Sequence, residues 1–476
     1  MTDNLKPYPE MKESDVEWLG ALPAHWKVLP NRAAFVEVKE PGHSHEQMLS
    51  VTISSGVIRQ GELIEDTSKK DQSRVDKSAY KLVQPDDIAY NKMRAWQGAI
   101  GVSRYKGIVS PAYIVQRPLD LTCAAYAHHL FRTPAFTKEA ERRSYGITSD
   151  MWSLRSEDFK TIRVCIPPLS EQTAIVRFLD HADRRIQRYI RAKEKLIALL
   201  EEQKQAIVHQ AVTGRIDVRT GGPYPAYKPS GVEWLGDVPA HWQLRRLKFL
   251  TSIASGQVDP RTDENKNKIL IAPNHILPNS GQITDLETAD TQGAESGKYE
   301  IYVGDVIYSK IRPNLRKAAI SPLDGLCSAD MYPIRVRKGE IETQFFLYLL
   351  LSNQVTRYTV DCSLRVAMPK VNREALGNCW LAYPKLREQQ TILDYISKST
   401  ANTEILARQI QSEISLLREY RTRLVTDVVT GKLDVREAAD TLPEVEPFAE
   451  DGETGASLDA GGEPALDDHE PVEVVS

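Results

Sequence analysis

The sequence predicts an α+β protein in which two globular domains of mixed helix and strand pattern alternate with two long helices. The helices should pair antiparallel as a coiled coil, and the halves should be related by an internal pseudo-two-fold repeat. Three observations carry this. Residues 168–219 read as one long helix with an apolar stripe, residues 384–436 repeat that helix, and the stretches before the two helices share shorter words in the same order.

The first helix is announced by Pro167-Pro168, which forbid helix before them, with Ser170 placed to cap and Glu171 in the first turn. Gly214 supplies the left-handed residue that ends it. A 4,3 walk visits Ile175, Leu179, Ala182, Ile186, Tyr189, Lys193, Leu196, Leu200, Gln203, Ile207 and Gln210, most of them apolar amid Arg, Lys, Glu and Gln. Such a stripe needs a partner. Glu171-Gln172 returns as Glu388-Gln389, and VTGRIDVR ending at Arg219 returns as VTGKLDVR ending at Arg436, both at an offset of 217. The expected seam of the second helix is Ile392, Ile396, Leu406, Ile410, Leu417 and Leu424. At ~1.5 Å per residue each helix is a rod of roughly 65 Å.

At 476 residues the chain exceeds one ordinary core. The reading divides it into a globule at 1–167, a helical region at 168–219, a Gly/Pro linker at 220–226, a second globule at 227–383, a helical region at 384–436 and an acidic tail at 437–476. No apolar run is long enough for a bilayer, and no charged-then-apolar leader opens the sequence. The five cysteines (Cys123, Cys165, Cys327, Cys362, Cys379) are odd in number and scattered, as expected of reduced buried thiols in a cytoplasmic protein. The formal net charge of −4 hides a division. Thirteen acidic residues and no Lys or Arg follow Arg436, so residues 1–436 carry a net +9. A basic body is compatible with nucleic acid, and the Pro/Gly/Ala-rich tail should be disordered.

Val16-Glu17-Trp18-Leu19-Gly20 and Pro23-Ala24-His25-Trp26 return at Val232–Gly236 and Pro239–Trp242, an offset of 216. Two tryptophans beside Gly and Pro suggest a rigid aromatic anchor in each half. Asp87–Arg94 alternates like a strand and is answered by Asp305–Arg312 at an offset of 218. Cys123–Arg132, Phe136–Arg143 and Thr343–Tyr358 read as helical. Most other residues differ between the halves, as two readers of different targets would.

Catalytic patterns were sought and are missing. The sequence has no phosphate-binding G-x-x-x-x-G-K-[ST] loop, no G-x-G-x-x-G, no G-x-S-x-G elbow, no H-E-x-x-H and no Asn- or Asp-Pro-Pro-Tyr. The pairs His43/His45 and His128/His129 read as loop and helix-surface residues, without a metal. Asp259, Glu264 and Lys266 come nearest to a metal-dependent nuclease set but lie in a polar loop with no strand to hold them. What remains is basic and polar residues in loops. The first globule offers Lys92, Arg94, Arg104 and Lys106, then Arg142, Arg143, Tyr145, Ser149, Trp152 and Arg155. The second offers Lys310, Arg312, Asn314, Arg316 and Lys317, then Arg357, Arg365, Lys370, Asn372 and Arg373. Arg and Lys match guanine's major-groove edge, Asn matches adenine's, and all bind phosphates. The equivalent Asn-Lys-Met-Arg and Ser-Lys-Ile-Arg words suit backbone positioning, and the more divergent 142–155 and 357–373 suit base reading.

These words together resemble the specificity subunit of type I restriction–modification enzymes: VEWLG…PAHW, D-[IV]-x-Y-[NS]-K-[IM]-R, and P-x-x-x-E-Q-x-x-I before a long helix ending VTG[KR][IL]D, each present twice in order over residues 8–436. The resemblance implies that each globule is a target recognition domain reading one half of a split, asymmetric site in double-stranded DNA. It implies that the helices set the spacing and dock two modification (methyltransferase) subunits, with motor and nuclease subunits joining where cleavage occurs. It implies no cofactor on this chain; S-adenosylmethionine would sit on the methyltransferase partner. The acidic tail has no counterpart in that pattern. Two other readings stay open at this stage, a pure assembly scaffold and a self-sufficient nuclease or methyltransferase.

Overall fold

The computed structural model describes residues 5–61, 77–146, 152–363 and 369–443. Ser149, Arg365 and almost all of the acidic tail lie outside the described residues. The chain divides into two compact units, residues 1–184 with 422–476 and residues 185–421. Both long helices, Leu169–Val212 and Leu386–Val429, contribute to both units. The first helix starts at Leu169, so Ser170 lies within its first turn, and Glu171 and Gln172 donate their amides to the Pro168 carbonyl.

In the first unit, the centre is an antiparallel four-stranded sheet in the order Phe35–Val38, Tyr113–Pro118, Ile88–Asn91, Ile100–Val102. Ile88, Ala89 and Tyr90 are all fully buried, which is why this apolar run is a central strand. Arg163–Ile166 pairs with Lys27–Pro30 and leads the chain into the first long helix. Helices Ala124–Phe131 and Pro134–Arg142 pack beside the sheet, with Phe131, Phe136, Phe159 and Phe35 forming a buried aromatic cluster. The end of the second long helix closes this unit. Lys6 bridges Asp434, and Gly431, at φ +72°, lies so close to Pro23 and Trp26 that an added Cβ would collide with them.

The second unit repeats the plan. Its sheet runs Thr251–Ile253, Met331–Val336, Val306–Ser309, Ala318–Ile320, the same order and the same antiparallel sense. Gln243–Arg246 pairs with Trp380–Tyr383 before the second long helix, and Gly214, at φ +71°, abuts Pro239 and Trp242. The halves differ in their accessory strands. The first carries a hairpin, Leu49–Thr52 with Gly56–Arg59, and the second a three-stranded sheet of Leu270–Ile271, Gly325–Cys327 and Tyr299–Ile301. The expected linker is not slack: Tyr224 within it is 4% exposed and belongs to the core.

The helices pair antiparallel within the second unit. Lys193 meets Glu413 and Glu194 meets Arg418, while further along the first helix Lys204 meets Glu404, further back on the second. Their apolar cluster is Ile186, Ile190, Ile410 and Ile414, flanked by Ile197, Leu200, Leu417 and Tyr420. Four expected seam residues therefore lie in it: Ile186, Leu200, Ile410 and Leu417. Two are exposed instead: Leu196 and Leu406 each to 42%, and Tyr189 on the same walk is exposed as well. The physical reason is drift: straight α-helix has 3.6 residues per turn, so a strict 3.5 walk begun at Ile175 slips off the contact line. Ile190 and Ile197 take the places assigned to Tyr189 and Leu196. Ile392 and Ile396 are buried in the second globule's core, and Ile175, Leu179 and Leu424 are buried in the first unit. Ile207 is half-buried.

Candidate nucleic-acid interface

The repeated words resolve into one device, present once in each unit. In the first, Glu171 is 4% exposed and gathers three groups. The Tyr8 hydroxyl and the Trp26 indole N–H (3.0 Å) donate to Oε1, and His25 Nε2 lies 2.8 Å from Oε2. In the second, Tyr224 (2.8 Å), Trp242 (3.3 Å) and His241 (2.8 Å) meet Glu388 in the same way. Burial, and then the hydrogen bond to the carboxylate, push both tyrosine hydroxyls far above their ordinary range, so each stays a donor. The neighbouring glutamine holds the other side. Gln172 accepts from the Cys123 amide (2.7 Å) and donates to the Leu121 and Pro167 carbonyls, and Gln389 does the same with Glu342, Glu340 and Pro384. Each Glu-Gln pair thus locks its globule to the first turn of a long helix. The Asp of the strand word is also shared: Asp87 takes two bonds from Arg117 (2.8 and 2.9 Å), and Asp305 takes two from Arg335 (2.8 and 2.9 Å).

The strand ends carry the candidate reading loops. The Leu154 amide donates to the Lys92 carbonyl, and the Val371 amide to the Lys310 carbonyl, both at 2.8 Å. Each unit therefore brings two predicted segments side by side, 92–97 with 152–155 and 310–317 with 369–373. Their tips differ. In the first, Trp96 meets Trp152 edge-on at 5.6 Å between ring centres, and the Arg155 guanidinium lies 4.5 Å from the centre of the exposed Tyr145 ring. In the second, Arg312 and Arg316 take left-handed backbone, φ +47° and +49°, around the turn Pro313–Leu315. Non-glycine residues held there store local strain. Arg312 and Asn314 are exposed.

Among the described residues, Lys92, Arg94, Arg312, Asn314, Arg357 and Lys370 have no side-chain hydrogen bond or ion pair within the chain. Among the described residues, Arg104 and Arg316 likewise make no side-chain hydrogen bond or ion pair, and most of the others are engaged. Arg142 and Arg143 both pair with Glu139, at 2.8 and 3.0 Å, and brace their helix. Lys310 donates to the Ala329 carbonyl, and Arg373 donates to the Ile253 carbonyl beneath the Tyr332 ring. Asn372 caps helix Arg373–Asn378 by accepting from the Ala375 amide. Lys106 pairs with Glu46, and Lys317 donates to the Pro273 carbonyl. Sequence reasoning overlooked Trp96 and Gln97; their place opposite Asn314 and Leu315 in the repeat was the available signal. The nuclease-like trio is scattered into local pairs, Asp259 with Arg261 and Lys266 with Asp263. Cys362 is exposed, not buried as expected. No described helix is long and apolar enough to cross a membrane.

Comparison with known proteins bears on this arrangement. The type I restriction enzyme EcoDI specificity subunit of Escherichia coli is 29% identical over 290 residues, 59% of this chain and 64% of that protein. The EcoKI specificity subunit of Escherichia coli K12 is 18% identical across 87% of this chain and 90% of its own length. The MjaVIII specificity subunit of Methanocaldococcus jannaschii is 24% identical over 58% of this chain, and the match again spans 64% of the relative. A solved chain from work on complex assembly and conformational transition of the type I R-M system superposes with a TM-score of 0.58 at 15% identity, covering 87% of this chain and 99% of that one. The family model for the type I restriction modification DNA specificity domain matches residues 83–197 and 239–416, one stretch in each half. With the duplicated sheet, the duplicated clamp and more than half of its length matched, this chain belongs to the type I restriction–modification DNA specificity family.

Proposed function

We propose that this chain is the DNA-reading subunit of a type I restriction–modification assembly, with no catalysis of its own. Each globule reads one half of a bipartite, asymmetric site in double-stranded DNA. The paired helices set the spacer and dock two methyltransferase subunits, which bring S-adenosylmethionine; restriction subunits join where cleavage occurs. One observation carries the reading: the same strap (Lys92–Leu154, Lys310–Val371) supports different tips in the two halves. A shared scaffold with divergent tips suits two related but unequal half-sites. Free cations at Lys92, Arg94, Arg312 and Lys370 suit phosphates, and Asn314 suits a base edge.

Sequencing the methylated bases of cells with and without this gene tests it. Loss of one bipartite methylated motif is the expected outcome, and unchanged methylation beside intact partner subunits rejects the proposal. Affinity for the site should fall steeply with salt, as phosphate contacts require.

A further inference from the structure

The second unit holds a cavity beside the end of its reading loop. It encloses about 300 Å³ between the last third of the first long helix and the second globule. Three of its lining residues present buried polar atoms with no hydrogen-bond partner: His209 Nδ1, Asn279 Oδ1 and Arg316 Nε. Buried groups of this kind are ordinarily paired, because leaving one unmade costs about 1–3 kcal/mol. Here a helix, a turn and a strained loop each contribute one such atom to the wall of a single cavity.

Arg316 sharpens the chemistry. No carboxylate among the described residues pairs with it, although its Nε is buried. Residues 279 and 316 are both held in left-handed backbone (φ +59° and +49°), and the Asn279 amide donates to the Arg316 carbonyl at 3.3 Å, so the two are fixed together. The Asn279 side chain offers its oxygen or, turned over, its NH₂. Burial first, then the charges of Arg215 and Arg316, lower the pKa of the His209 imidazole, and its Nδ1 can carry a proton toward an acceptor. These donors suit an oxyanion. Elsewhere in the lining Tyr348 offers an aromatic ring, while Glu201 and Glu202 accept hydrogen bonds and would repel a second negative group.

We propose that this cavity binds a small molecule that joins an oxyanion to a planar body bearing hydrogen-bond donors, the chemistry of a nucleoside monophosphate. The oxyanion lies against Arg316, Asn279 and His209, the ring against Tyr348, and an exocyclic amine faces the glutamates. Arg316 closes the turn Pro313–Leu315 of the second reading loop, so the site adjoins that loop, and the duplex arm of the test separates a backbone phosphate from a free mononucleotide.

The test is calorimetric titration of the full chain with deoxyadenosine monophosphate, inorganic phosphate and a short DNA duplex, repeated with Arg316→Met, Asn279→Gly and, as a control outside the cavity, Arg261→Met. Saturable binding of the mononucleotide, tighter than phosphate, is expected. Arg316→Met should weaken it by about tenfold or more, the loss of a charge-assisted hydrogen bond, and Arg261→Met should leave it unchanged. The melting temperature of the unliganded Arg316→Met protein should equal or exceed that of the wild type, because an unpaired buried cation has been removed. Asn279→Gly keeps the left-handed backbone and should also weaken binding if Arg316→Met fails to fold. No saturable mononucleotide binding, or binding indifferent to both cavity variants, overturns the proposal. So does phosphate binding as tightly as the mononucleotide, or Arg316-dependent binding confined to the duplex, which would make the cavity a seat for a backbone phosphate.

Discussion

The Glu171 carboxylate receives the Tyr8 hydroxyl and the Trp26 indole in a place where Trp26 is fully buried and Glu171 nearly so. Removing it strands two donors, each costing about 1–3 kcal/mol when left unpaired. Glu171→Ala should therefore destabilise the protein by about 3 kcal/mol. Glu388→Ala should cost less, because the Glu388 side chain is 15% exposed against 4% for Glu171, so water reaches the stranded groups. Urea unfolding of the two variants checks the order. His128 supplies a pH dependence. Burial first, then the charges of His129, Arg132 and Arg104, lower its pKa to about 3, while its Nδ1 accepts the Val102 amide at 3.2 Å. An unfolded histidine titrates near 6.5. The folded value is depressed, so this contribution is complete above about pH 6.5 and drains away as pH falls toward 3. His128→Gln should flatten the decline in melting temperature between about pH 6.5 and 4 relative to wild type.

At the scale of the element, the paired helices make a sharp contrast. Ile410 is 3% exposed in the inter-helix cluster, and Leu406, four residues away, is 42% exposed. Ile410→Ala should cost about 2–4 kcal/mol, the range for truncating a core isoleucine. Leu406→Ala should lie within about 0.5 kcal/mol of wild type. Thermal or urea unfolding decides, and equal costs would mean that the seam passes through Leu406 after all. The helices themselves were legible before any coordinates: Pro167-Pro168 and Gly214 bracket Leu169–Val212, and the copy follows at the same offset. The seam was legible only in part. Apolar spacing states which residues want burial, while the contact line depends on how 3.6 residues per turn meets a neighbour.

For the whole molecule, helix length becomes a functional quantity under the proposed role. Inserting four residues near Gln203 adds about one turn, ~6 Å. The spacer of the methylated motif should change while both half-sites keep their letters. Altered letters with an unchanged spacer would reject the ruler. Exchanging the first globule should alter one half-site only, read by the same methylation sequencing.

The duplication, the long helices, the order of the elements and the family resemblance were all determined by the sequence alone, because constant offsets and repeated words survive without coordinates. The purpose of those words was not. Glu171 read as a first-turn residue of its helix and His25-Trp26 as part of an anchor, yet they are two sides of one contact between residues about 145 positions apart. Arg142 and Arg143 read as base contacts but face Glu139 on their own helix, while Arg312 and Asn314 stay open to solvent. A residue type states which bonds a side chain can make. Which of them it makes depends on what folding brings within about 3 Å of it, and that is a tertiary fact.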